Sequence, residues 1–103
     1  MTVRYRIIFW QDIPAQVKAK AGRDRVGRPL SNRFQIAIDE AAMRAGRTGS
    51  NDYLDAWRNG EWQERDGELE EVADALVAEL EAAYTTERLR TLIRQYGLET
   101  GGE

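Results

Sequence analysis

The sequence predicts an α+β domain in which an N-terminal antiparallel β-hairpin packs against three to four α-helices. Three observations predict it. Apolar and polar residues alternate in two short runs before residue 22, and apolar residues recur at helical spacing in several stretches after Pro29. The third is length: 103 residues supply one hydrophobic core rather than two independent ones. The domain is placed at residues 1–97, with 98–103 as a flexible tail.

Val3 to Trp10 is rich in β-branched and aromatic residues. Its alternation sends Val3, Tyr5, Ile7 and Phe9 to the core and Arg4, Arg6, Ile8 and Trp10 to the other face. Gln11-Asp12-Ile13-Pro14 turns the chain, and Pro14, having no backbone donor, belongs to the turn or to the start of the next strand. Gln16 to Ala21 alternates again, with Val17, Ala19 and Ala21 on one side and Gln16, Lys18 and Lys20 on the other. The polar face of this hairpin therefore carries Arg4, Arg6, Lys18 and Lys20. Gly22 to Pro29 reads as a linker or longer turn holding Arg23, Arg25 and Arg28.

Ser31 or Asn32 caps the first helix, whose stripe is Phe34, Ile38, Ala41 and Ala45 and whose stop is Gly46. Ser50 or Asn51 opens a short helix through about Arg58, with Tyr53, Leu54 and Trp57 apolar. Residues 59–67 read as a polar loop containing Trp62, and Asp66 is the expected cap of the third helix. Leu69, Val72, Ala73, Leu76, Val77, Leu80 and Tyr84 give that helix the clearest stripe in the chain, behind an acidic first turn of Glu68, Glu70 and Glu71. Thr85 or Thr86 caps a last helix with Leu89, Leu92, Ile93 and Tyr96 inward and Gly97 as its stop. A two-stranded hairpin is marginal alone. Helices must cover it, a third strand must lie in a stretch read as loop, or a second chain must complete the sheet.

Composition narrows the chemistry. The chain has no His and no Cys, which excludes zinc fingers, iron–sulfur sites, disulfides, thiol catalysis and Ser-His relays. No apolar run reaches the ~20 residues of a membrane span, and the N-terminus lacks a small-residue cleavage site, so the expected setting is cytoplasmic, without membrane contact. The net charge of −3 conceals an asymmetry: residues 1–50 carry ten Lys and Arg against four Asp and Glu, a net +6, and residues 51–103 five against fourteen, a net −9. Either the halves pair with each other, or the surface is polarised and steers a partner to one face.

Catalytic and ligand motifs are missing. The acidic run Glu61, Glu64, Asp66, Glu68, Glu70, Glu71 and Asp74 lacks the spacing of a calcium loop and reads as a solvated helix entry; no metal or cofactor is expected. The glycines match neither phosphate-binding fingerprint, although the Arg23/Arg25/Arg28 loop is able to pair with an anion. The basic hairpin face with Trp10 superficially suits single-stranded nucleic acid, against which stand a pI near 5.1 and the acidic second half. Trp10 and Trp62 read equally as core plugs or as exposed interface anchors, and Trp57 as core.

The run Tyr5-Arg6-Ile7-Ile8-Phe9-Trp10-Gln11-Asp12-Ile13-Pro14-Ala15-Gln16-Val17, followed by Arg33-Phe34-Gln35 and Ile38-Asp39-Glu40-Ala41-Ala42-Met43-Arg44-Ala45-Gly46, resembles a small bacterial family labelled "virulence factor" domain, also found in conserved virulence factor C. The similarity extends over residues 3 to about 96, with Trp10, Asp12, Ile13, Pro14, Ala15 and Gln16 its distinctive run. The resemblance implies no catalytic or ligand residue. In larger members such a domain accompanies helical-repeat segments, which implies an interaction module, and stand-alone members lie near folate- and corrinoid-dependent one-carbon enzymes. The expectation is a non-catalytic accessory or adaptor that binds another protein, or a second copy of itself. Its alternatives are an accessory component of one-carbon methyl transfer and a weak single-stranded nucleic-acid binder. The expected contact surface is Trp10, Gln11, Asp12, Ile13 and Pro14 with Arg4, Arg6, Lys18 and Lys20, and Trp62 as a further anchor.

Overall fold

The computed structural model describes residues 1–99, the side chain of Ser50 aside. The chain runs β1 (Thr2–Trp10), β2 (Ile13–Ala21), β3 (Asp24–Pro29), α1 (Asn32–Ala45), α2 (Ser50–Asp55), β4 (Trp57–Asn59), β5 (Gln63–Asp66), α3 (Leu69–Ala83) and α4 (Thr86–Arg94). The α+β class stands: the N-terminal hairpin and four helices are present, and the sheet has five strands where the sequence predicts two. Its order is β3-β2-β1-β4, with β5 also pairing β1, and every pairing is antiparallel. No helix among the described residues is long and apolar enough to cross a membrane.

Each added strand lies where charge conceals periodicity. The stretch Gly22–Pro29 is not a linker: Gly22, at φ +61, and Arg23 form a two-residue turn, and Asp24 to Pro29 pair with β2 from Ala21 back to Gln16. Such a strand holds Gly27 and Pro29 because it is an edge. The short helix ends at Asp55 rather than Arg58, and Trp57–Asn59 pair with Ile8–Trp10. Residues 63–66 of the expected loop pair with Thr2–Tyr5.

The hairpin register shifts between Ile8 and Phe9. Ile8 faces Gln16 but Phe9 faces Pro14, which leaves Ala15 as an extra residue on β2. Ahead of this bulge the alternation is as predicted, and Val3, Tyr5, Ile7, Val17, Ala19 and Ala21 form a core with Leu69, Val72, Ala73 and Leu76 of α3. Past it, Trp10 and Ile13 pair across a tight Gln11-Asp12 turn and enter a second core with Phe34, Ile38, Ala41, Leu89 and Leu92. Val77 and Leu80 of α3 touch both cores and join them.

The caps follow local competition for hydrogen bonds. Glu68, not Asp66, caps α3, accepting from the N–H of Glu70 and Glu71, while Asp66 is occupied in β5 with Thr2. Thr85 caps α4 through the Arg88 N–H. Ser31 sits at the α1 cap position, yet its hydroxyl donates to Glu81 at 2.8 Å and caps nothing. Gly46, at φ 71, ends α1 as expected. Tyr96, expected inward, is 47% exposed, because α4 stops at Arg94 and Tyr96 takes a left-handed φ of 61 beyond it. Of the expected tail, Glu99 is held by its N–H to Asp12 Oδ2 at 2.7 Å and by an ion pair with Arg88; residues 100–103 lie outside the described residues.

Candidate functional site

The outer face of the sheet gathers cations from three strands. Arg4 stands opposite Lys20 and Arg6 opposite Lys18 across β1–β2, and Lys20 stands opposite Arg25 across β2–β3. Like charges directly opposite one another in a sheet repel. What draws these together is Trp62, half buried, whose ring centroid lies 4.3 Å from Lys20 Nζ, 4.6 Å from Arg6 Cζ and 5.5 Å from Arg4 Cζ. The electron-rich indole face attracts each cation by ~0.5–1 kcal/mol where solvent remains.

Gly60 brings Trp62 there. Its N–H donates to Ile7 O at 2.8 Å, so the chain between β4 and β5 crosses hard against β1. A Cβ on residue 60 would sit 2.9 Å from that same carbonyl oxygen, closer than side chains tolerate. Beside the ring lies a pocket of about 280 Å³ lined by Arg6, Lys18, Lys20, Arg25, Gly27 and Trp62. Gly27 contributes open space on the β3 side, since an added Cβ there would meet only Gln16 Oε1, at 3.9 Å. Arg6 Nε is buried with no hydrogen-bond partner among the described residues.

The two readings of the charge asymmetry now separate by residue. Arg28 reaches Glu70 and Asp74 of α3, each at 3.1 Å, and Arg33 reaches Glu81 at 3.1 Å, so these cations do pair with the acidic half. The Arg28 guanidinium is correspondingly harder to deprotonate, chiefly through its hydrogen bond to Asp74. Burial pushes the Glu81 carboxyl up, but hydrogen bonds from the Ser31 N–H and hydroxyl and from Arg33 outweigh it and hold the group below its ordinary value. Arg4, Arg6, Lys18, Lys20 and Arg25 take part in none of the ion pairs among the described residues. The acids in register with this face are Glu64, opposite Arg4, and Asp66, opposite Thr2, both at its β5 margin.

The structure divides the expected contact surface in two. Trp10 and Ile13 have 0% exposure and Pro14 is fully buried, so these three have no face for a partner; α1 and α4 cover Trp10 and Ile13 as the second core. Trp10 Nε1 donates to Tyr53 O at 3.0 Å, and its ring lies 5.9 Å from that of Tyr53. Gln11 and Asp12 are half buried in a joint between turn, strand and C-terminal segment. The Gln11 side-chain amide donates to Tyr96 O, Gln11 O accepts from Arg58 Nε at 2.8 Å, and Asp12 pairs with Arg58 at 2.9 Å. Arg4, Arg6, Lys18, Lys20 and Trp62 do come together. Gly27 joins them, and so does Arg25, which the sequence places in an anion-pairing loop rather than on this face, because the stretch read as a linker is strand β3. The Gly22-Arg23 turn, two residues long beneath an alternating strand, is the signal that finds them.

A family described as "Virulence factor" matches residues 8–93. The chain belongs to this family. The span matched to the Virulence factor family takes in the Trp10–Pro14 joint and also Lys18, Lys20, Arg25, Gly27 and Trp62, whereas Arg4 and Arg6 precede it. No curated protein and no solved structure matches the chain.

Proposed function

We propose that this Virulence factor chain is a non-catalytic adaptor that binds an acidic region of another protein on the outer sheet face around Trp62. The carrying observation is that three cations lie over one half-buried indole and two more, Lys18 and Arg25, line the pocket beside it, all five without an ion pair among the described residues. A fold gains little by holding like charges opposite one another, and a carboxylate-bearing ligand relieves the repulsion while forming charge-assisted hydrogen bonds. The aromatic ring supplies the apolar anchor that such contacts lack. Acids at the β5 margin and a net −3 disfavour the continuous phosphate track of a nucleic acid and suit a short acidic segment. We assign the adaptor to the cytoplasm, since small domains of oxidising compartments commonly rely on disulfides and this chain has no Cys.

The test is fluorescence anisotropy with a short labelled peptide alternating Val and Glu, run beside a labelled single-stranded oligonucleotide. The reading expects saturable, salt-sensitive peptide binding, weakened more than about tenfold by the Lys18→Glu/Lys20→Glu double substitution. Equal affinity in the double variant contradicts it, as does tighter binding of the oligonucleotide than of the peptide.

A further inference from the structure

The cationic face ends at β3, whose far side pairs with no strand of the sheet. In an antiparallel ladder alternate residues bond to their neighbour, and the residues between them aim both N–H and C=O away. The phase of β3 is fixed at both ends. The two-residue Gly22-Arg23 turn closes on the Ala21–Asp24 pair, and the Leu30 N–H donates to Ala15 O at 3.0 Å. Asp24, Val26, Arg28 and Leu30 therefore bond inward to β2, and Arg25, Gly27 and Pro29 present their backbone groups to the open edge. Pro29 fits this phase, because the donor it lacks belongs to no ladder bond. The outward N–H groups of Arg25 and Gly27 find no acceptor among the described residues, and Gly27 O has only a 3.5 Å contact from Arg28 Nη1.

The same three residues that face outward along the edge also carry the side-chain positions of the cationic face, since Arg25 is opposite Lys20, Gly27 opposite Lys18 and Pro29 opposite Gln16. Backbone valence and charge thus coincide at one place. We infer that an extended acidic segment of the partner adds to the β3 edge as a further strand, bonding to the Arg25 and Gly27 backbone and laying alternate carboxylates over Lys18, Lys20 and Arg25. This rests on the adaptor reading and names how its ligand is held. Gly27, with no side chain, leaves the pocket open to the incoming strand's own side chain. A second copy of this chain is a poor occupant, because pairing β3 with β3 brings two cationic faces into one sheet; edge cations of this kind reject copies and admit acids.

Two measurements with the Val-Glu peptide test the inference separately from the adaptor reading. In amide hydrogen exchange by NMR, Arg25 and Gly27 are expected to exchange rapidly in the free protein and at least tenfold more slowly with peptide bound, while Val26 and Arg28 are protected in both states. Gly27→Pro removes one outward donor and no ladder bond, so the variant is expected to keep the wild-type circular dichroism spectrum and to bind the peptide at least tenfold more weakly. Unchanged exchange at Arg25 and Gly27 on saturation overturns strand addition even if Lys18→Glu/Lys20→Glu abolishes binding, in which case the face binds by charge alone. Failure of the double variant to weaken binding removes both readings.

Discussion

Trp10 decides whether the most family-specific run of the chain is a contact surface or a structural joint, and its truncation gives opposite results in the two cases. The ring has 0% exposure and lies 5.9 Å from the ring of Tyr53. Gly97 approaches it so closely that an added Cβ would stand 3.0 Å from Trp10 Cζ3. Removing a fully buried indole costs ~3–5 kcal/mol through lost transfer energy and the cavity left behind. Losing the 3.0 Å hydrogen bond to Tyr53 O, a half-buried carbonyl that keeps only a 3.4 Å bond from the Ala56 N–H, costs a further ~1 kcal/mol. Against a total stability of ~5–15 kcal/mol, Trp10→Ala should lie at the edge of folding. For a chain of this size each kcal/mol moves the melting temperature by ~4–8 °C, so the loss should exceed ~12 °C. Trp10→Phe, which retains part of the volume, should fall between wild type and Trp10→Ala. Thermal unfolding followed by circular dichroism, with urea unfolding as a second axis, reads the effect. A Trp10→Ala protein melting within ~5 °C of wild type, yet unable to bind the acidic peptide, would refute the burial argument and restore Trp10 as an interface anchor.

Three further predictions rest on separate observations. Gln11 holds a left-handed φ of 52 that its side chain secures through Tyr96 O, so Gln11→Val, β-branched and unable to make that bond, should lower stability by ~1–3 kcal/mol in urea unfolding. Lys20 stands between Arg4 and Arg25 on neighbouring strands and also lies 4.3 Å from the Trp62 ring centroid, so in Lys20→Glu relief of the repulsion and loss of the cation–π contact offset one another. Stability should change by less than ~1 kcal/mol while the peptide binds more weakly, a separation expected of a binding face and not of a structural one. The Glu81 carboxyl is held below its ordinary value of 4.5, so the unfolded chain takes up its proton first as pH falls. The stabilisation is thus complete above pH 4.5 and is lost as pH drops through the lower folded value. The stability gap between wild type and Glu81→Gln, read from urea midpoints, should be wide at pH 7 and shrink at about pH 3.5.

The helical half of the fold was legible from periodicity, because Leu69 to Leu80 and Phe34 to Ala45 carry stripes that burial requires. The early hairpin was legible for the same reason as far as Ile8. One extra residue on β2, Ala15, then shifts the register, and the face that alternation gives Trp10 is covered by α1 and α4; neither a bulge nor a helix distant in sequence leaves a mark in a run of apolar residues. Strands β3, β4 and β5 are short, charged and peripheral, and edge strands avoid the hydrophobic alternation that makes a strand readable. The cations of the site were found through the hairpin's polar face, but their assembly around Trp62 depends on Gly60 crossing β1, a long-range contact with no local signature. The half-buried joint at Gln11 and Asp12 reads in the sequence as a free surface for a related reason. Its partners Arg58, Tyr96 and Glu99 are all distant in sequence, so nothing nearby signals that its polar groups are already satisfied.

The central claim is that the outer sheet face around Trp62 receives an acidic partner. The three tryptophans provide three indole N–H signals, from Trp10 in the core, Trp57 half buried beside Tyr53, and Trp62 beneath the cations. Titrating the Val-Glu peptide into the nitrogen-15 labelled protein should move the Trp62 indole signal progressively to saturation, together with the backbone amides of Lys18, Lys20 and Arg25, and leave Trp10 in place. Saturable binding that shifts Trp10 or the Gln11-Asp12 turn and leaves Trp62 unmoved would contradict the account.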